Sequence, residues 1–152
     1  MEFGDYQCPY CGQAYYQLQR VLGHFGDSLR FEFRNFPLAS VHPFAVLAAE
    51  AAESAGVQGK FWQMHDALYE HQSALGPDLV LDLARQLRLD VDRFINDVNS
   101  DAHLSRIRAD LQDGLRLGVN GTPSFFINGR KYDGSFDAGS LIRAIEATGL
   151  KG

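Results

Sequence analysis

No run of about 18 consecutive apolar residues occurs anywhere in the 152-residue chain, which excludes a helix able to span a bilayer. Nor does the N-terminus carry the basic stretch and apolar core of a signal peptide. Lys and Arg number 14 against 19 Asp and Glu, for a net charge of −5, and no basic run or basic-aromatic patch offsets the deficit. Nucleic acid is therefore excluded as a partner. Repeats and low-complexity segments are also missing, so solenoids and linker-like chains drop out. Cysteine is scarcest in its effect: there are only two. Two cannot build a disulfide framework or a four-cysteine zinc site. His24, His42, His65, His71 and His103 are scattered singly and do not complete a ligand set. At this length one domain can bury a core without staples.

The two cysteines lie three residues apart in Cys8-Pro9-Tyr10-Cys11, after a short apolar stretch and before an amphipathic one. A helix starting here puts Cys8 at the N-cap and Pro9 at the first helical position, where a missing N–H costs nothing. Cys11 then shares a face with Cys8, at a separation that lets a disulfide close with little backbone movement. A sulfur at a helix N-terminus meets unpaired N–H groups and the positive end of the macrodipole, so Cys8 is expected to be the ionised nucleophile. Cys11, one turn deeper, is expected to be shielded and to resolve mixed disulfides. A purely structural disulfide across so small a loop would constrain the unfolded chain little.

Apolar spacing predicts a buried strand over Met1 to Asp5, a helix from Pro9 to about Phe25 and an alternating strand from Leu29 to Phe36. That is a βαβ unit, whose strands should be parallel with a right-handed crossover. From about Pro43 to Leu117 the chain reads as helical, Pro43 and Pro77 suiting first turns and Asp90 and Ser100 or Asp101 suiting N-caps. Strand signal returns at Pro123 to Ile127. Asn128-Gly129 marks a hairpin to Lys131-Tyr132-Asp133, and a helix from Ser135 to Thr148 closes the chain. The expected fold is α/β and thioredoxin-like, with a core over 1–37 and 118–152 and a helical insertion over about 38–117. His42 and His65 read as a helix-start residue and a surface or satisfied histidine rather than as site residues.

The segments EFGDYQCPYCG, FRNFPL, HPFAVLAAEAAESAG, QGKFWQMHDALY and GVNGTPSFFINGRKYDG, in that order, cover nearly the whole chain. Together they resemble the DsbA-like thiol:disulfide oxidoreductases of the thioredoxin superfamily, including the DsbA-like domain appended to some sodium/proton antiporters. The resemblance implies that Cys8 attacks and Cys11 resolves. It also implies that Thr122 and a cis-proline at Pro123 bind substrate opposite them, and that Glu2 is a buried carboxylate exchanging a proton with the resolving thiol. From the residues alone, Pro123 would be a trans proline leading from loop to strand, and Glu2 could be a frayed terminal residue. Pro9 and Tyr10 support the site, Tyr10 by exposed apolar contact.

The resemblance implies no cofactor and no metal. Partners would be protein or peptide substrates with thiols or disulfides, and a redox-recycling partner. Pro9-Tyr10 is also typical of glutaredoxins, where the strongly oxidising prototype has Pro-His, so the expected potential lies below about −120 mV, toward about −200 mV. A glutathione-dependent reductase and a redox-inactive binding or chaperone module are the alternatives. The family setting favours an extracytoplasmic location, periplasmic or cell-surface, while the missing signal peptide leaves the cytoplasm open. The short lead before Cys8 fits either a compact natural variant or a chain trimmed from a longer precursor.

Overall fold

A four-stranded sheet, with seven helices around it, carries the chain's first chemistry-bearing turn at the end of a central strand. The computed structural model describes residues 1–152. Strand β1 (Glu2–Gly4) leads through a turn into α1 (Pro9–Phe25), and β2 (Phe33–Asn35) follows. Five helices come next: α2 (Ala45–Gly56), α3 (Phe61–Glu70), α4 (Pro77–Gln86), α5 (Val91–Asn99) and α6 (Leu104–Arg116). The chain ends with β3 (Ser124–Ile127), β4 (Arg130–Tyr132) and α7 (Ala138–Glu146). Strand order is β2-β1-β3-β4, with β1 parallel to β2 and antiparallel to β3. This is the thioredoxin-like α/β arrangement that the sequence implies.

The second strand is shorter than its alternating pattern suggests. Central β1 offers only Glu2, Phe3 and Gly4 as partners, so pairing covers Phe33, Arg34 and Asn35, and residues 29–32 stay outside the strand. Helix α2 begins at Ala45 rather than Pro43: Phe44 is its N-cap, outside helical geometry at φ −108° and ψ 10°, with its N–H donating to Gln7 Oε1 at 2.7 Å. Asp90 caps α5 by accepting from the Arg93 N–H, whereas α6 starts after His103 with no side-chain cap, and Asp101 sits at φ +52°. Asp137 caps α7 from the Ser140 N–H, which trims that helix to Ala138–Glu146. The β3–β4 turn holds Asn128 at φ +48° and Gly129 at φ +79°, the doubly left-handed turn this dipeptide favours.

Helix α1 is buried along two faces. Cys11 and Tyr15 join an aromatic core with Tyr6, Phe33, Met64, Leu68, Tyr69 and residues of α2, α4 and α5. Ala14, Leu18, Val21 and Phe25 face Phe125, Leu141 and Ile145. On the other side of the sheet, Phe3, Phe36, Val119 and Phe126 pack with Leu111 of α6, and a Cβ on Gly114 would fall 2.8 Å from the Phe36 ring. Although α6 lies within the helical stretch of the sequence, it therefore serves as a layer on the sheet.

Candidate active site

Cys8 stands at the N-cap of α1 in extended backbone (φ −69°, ψ 123°), with Pro9 in the first turn. Both cysteines are free thiols 3.8 Å apart. Cys8 keeps 4% of its surface exposed and Cys11 none, so the two differ less in exposure than in surroundings. The Cys8 thiol donates to the Thr122 carbonyl at 3.6 Å across 114 residues of chain. The Thr122–Pro123 peptide bond is cis. A groove of about 330 Å³ runs beside it, lined by Asn120, Gly121, Thr122, Pro123, Tyr132 and Phe136 among others. Tyr10, 63% exposed, projects from the same turn.

The neighbouring sulfurs are driven apart electrostatically. Hydrogen bonding from the Cys11 thiol, helped by the Thr122 side chain and by the Cys11 and Tyr10 backbone N–H groups, outweighs burial and lowers Cys8 to about 5. Burial first, then the Cys8 hydrogen bond and the negative charge of Glu2, push Cys11 far upward. One sulfur is thus a thiolate at neutral pH and the other a proton holder.

Glu2 is 1% exposed on the central strand, and its Oε2 has no hydrogen-bond partner. It is not a frayed terminus: the Glu2 N–H pairs with the Glu32 carbonyl at 2.8 Å, and the Phe126 N–H with the Met1 carbonyl at 2.8 Å. Burial, reinforced by the charge of Cys8, raises its carboxyl to about 8, so Glu2 is protonated at pH 7. Of the seven sequence-flagged residues, Cys8, Pro9, Tyr10 and Cys11 form the start of α1, Thr122 and Pro123 meet them just before β3, and Glu2 lies on β1 close enough for its charge to act on both sulfurs.

Sequence reading missed the polar residues that hold the turn before Cys8. Buried Asp5 accepts the Gln7 N–H through one oxygen (2.8 Å), and the Leu38 N–H (2.9 Å) and His42 Nδ1 (2.7 Å) through the other. Tyr6 Oη lies 2.9 Å from Nδ1 of buried His65, and burial lowers that imidazole to about 3. The contact therefore joins a phenol and a neutral imidazole. Gln72 donates to the carbonyls of Tyr6 and Cys8, each at 2.8 Å. Only Asp5, inside the quoted GDYQCPYC string, carried a signal: an acid at the end of an otherwise buried strand.

Comparison with known proteins places the chain in a family. A family model described as Thioredoxin matches residues 1–147. The Na⁺/H⁺ antiporter NhaA 1 of Salinispora arenicola is 44% identical over 145 residues, covering 95% of this chain and 22% of that protein. NhaA 1 of Mycobacterium sp. (strain KMS) is 44% identical over 149 residues, covering 97% and 24%. The chain spans less than a quarter of the length of these curated relatives. Among solved structures, a thioredoxin-like oxidoreductase from Silicibacter pomeroyi superimposes with TM-score 0.81 at 28% identity, covering 99% of this chain and 86% of that one. Oxidised BdbD from Bacillus subtilis shares the fold, with TM-score 0.83 at 24% identity over 96% and 84% of the two chains.

Proposed function

The chain belongs to the thioredoxin family, and on that premise we propose that it is a DsbA-like thiol–disulfide oxidoreductase whose Cys8 and Cys11 exchange disulfides with protein or peptide substrates as a dithiol oxidase. The supporting observation is the opposite displacement of two thiols 3.8 Å apart, one lowered to about 5 and the other raised.

Starting from the Cys8–Cys11 disulfide, a substrate thiolate attacks Cys8 Sγ. The S–S bond breaks and its electron pair leaves on Cys11 Sγ, which takes up a proton. A second substrate thiolate then attacks the substrate sulfur of the mixed disulfide, and Cys8 leaves as a stable thiolate. The substrate has lost two electrons and the enzyme holds a dithiol. A recycling partner that accepts those two electrons restores the disulfide. Glu2, protonated at neutral pH, is the proton source for Cys11 through water. The Thr122 carbonyl and Pro123 line the groove where an extended peptide pairs with the end of β3, and Tyr10 adds apolar contact.

A nucleophile at about 5 lies between thioredoxin at about 7 and DsbA at about 3.5. A stabilised thiolate favours the reduced enzyme, and hence oxidation of its substrates. This chemistry suits an extracytoplasmic compartment, where disulfides persist. Transport is not part of the reading: the matched antiporters extend far beyond this segment, and no helix here is long and apolar enough to cross a membrane. The Pro9-Tyr10 dipeptide favours a second reading, glutathione-dependent reduction.

The deciding measurement is the equilibrium potential of the Cys8/Cys11 couple in glutathione buffers. A value above about −150 mV supports the oxidase, and one below about −230 mV makes the protein a reductase. Cys11→Ser should accumulate mixed disulfides with protein substrates. A turnover rate set by glutathione rather than by a substrate dithiol would favour the second reading.

A further inference from the structure

Gln72 opens a short 3₁₀ turn, Gln72–Ala74, that follows α3 and lies against the start of α1. Its Nε2 spends both hydrogens on the active-site turn, donating to the Tyr6 carbonyl and to the Cys8 carbonyl at 2.8 Å each. The Cys8 carbonyl also accepts the Gly12 N–H at 3.0 Å, the first bond of α1. A second observation points to the same contact. Gly12 is buried in the helix interior, where glycine costs about 1 kcal/mol relative to alanine. A Cβ there would lie 2.3 Å from Gln72 Oε1 and 3.0 Å from its Cδ. The helix gives up a side chain at the place where the glutamine amide sits.

We propose that Gln72 is a positioning residue for the exchange reaction: by pinning the carbonyls on either side of Gln7 it fixes the backbone of Cys8, and so the aim of its sulfur at Cys11 and Thr122. Holding the Cys8 carbonyl fixes ψ of that residue, the dihedral that sets the sulfur against the N–H groups of the first turn. Those N–H groups belong to Tyr10 and Cys11 and help stabilise the thiolate. With the amide removed, the turn can rotate away from them while the rest of α1 stays packed. This inference rests on Cys8 being the nucleophile of the proposed exchange.

Gln72→Met keeps the length and bulk of the side chain and removes both donors. Gly12→Ala leaves the amide intact and displaces it. Thiolate absorbance near pH 4 to 8 reads Cys8 alone, since Cys11 is pushed far above that window. In both variants the Cys8 midpoint should rise by about one unit, with kcat for a dithiol peptide at pH 6 falling about threefold because Cys8 becomes a poorer leaving group. Peptide KM should hold, because the Thr122–Pro123 groove is untouched. A lowered melting temperature with an unmoved midpoint would reduce Gln72 to a structural role and overturn the proposal. If either variant fails to fold, hydrogen exchange of the Gln72 side-chain amide in the wild type decides: protection supports the clamp and free exchange overturns it. A wild-type protein without dithiol turnover would remove the function itself, whereas normal wild-type turnover with unmoved variants removes only the role of Gln72.

Discussion

The two buried faces of α1 are built from different materials. Toward α7, Ala14, Leu18, Val21 and Phe25 meet Phe125, Leu141 and Ile145 in a mainly apolar seam, with the Ala138 N–H donating to Gln17 Oε1 at its end. Toward α3, Cys11 and Tyr15 meet Tyr6, Phe33, Met64, Leu68 and Tyr69, and a neutral histidine lies inside the aromatic cluster. Dispersion and water exclusion hold the first seam and are indifferent to small rotations. Directional hydrogen bonds brace the second, between Tyr6 and His65, from the Phe44 N–H to Gln7 Oε1 and from Gln72 to the Tyr6 carbonyl, and such bonds fix angle as well as distance. The helix is anchored by one face and aimed by the other. That division lets the N-terminal turn present a thiolate with defined geometry without weakening the core beneath it.

Breaking the apolar seam should cost stability and leave the chemistry alone. Leu141→Ala is expected to destabilise by about 2–5 kcal/mol in urea unfolding, with the Cys8 midpoint still near 5 and the loss independent of pH. Movement of that midpoint would dissolve the distinction between the faces. On the active-site side, Glu2→Gln is expected to slow peptide oxidation about a hundredfold, the lower end of general acid–base effects. The wild-type rate should fall as pH rises through about 8, where Glu2 ionises, and the variant should lose that limb. The sign for stability is the same. The folded carboxyl is raised from 4.5 to about 8, so its contribution is full below 4.5 and lost by 8, and Glu2→Gln should gain on the wild type as pH rises.

Tyr6→Phe should cost about 1–3 kcal/mol by leaving the His65 Nδ1 buried without its hydrogen-bond partner. Calorimetry at pH 7 reads it. Smallest at neutral pH is the effect of His65→Gln. The folded imidazole is lowered to about 3 from 6.5, so wild-type stability is full above 6.5 and drains as pH falls toward 3. The variant should flatten that acid limb in urea midpoints measured from pH 7 to 4. An unchanged limb would shift the acid sensitivity to another group.

Local chemistry was legible without coordinates. The Cys8-Pro9 junction and the Asn128-Gly129 turn follow from interactions within a few residues. Glu2, Thr122 and Pro123 came only through family resemblance, because no local pattern joins Thr122 to a sulfur 114 residues away. Gln72, His42 and His65 were opaque for the same reason: in sequence, a polar residue that braces a turn looks like one that faces water. Strand β2 misled because alternation records which side chains are buried, while strand length depends on how many partners β1 offers.

By itself, then, the amino-acid order determined the succession of elements and placed a cysteine at a helix start, since helix and turn formation draw on neighbours in the chain. Tertiary structure alone decided how far the two thiols diverge, that Glu2 stays protonated and which side chains hold the turn. Desolvation and long-range hydrogen bonds arise only when distant segments meet and exclude water.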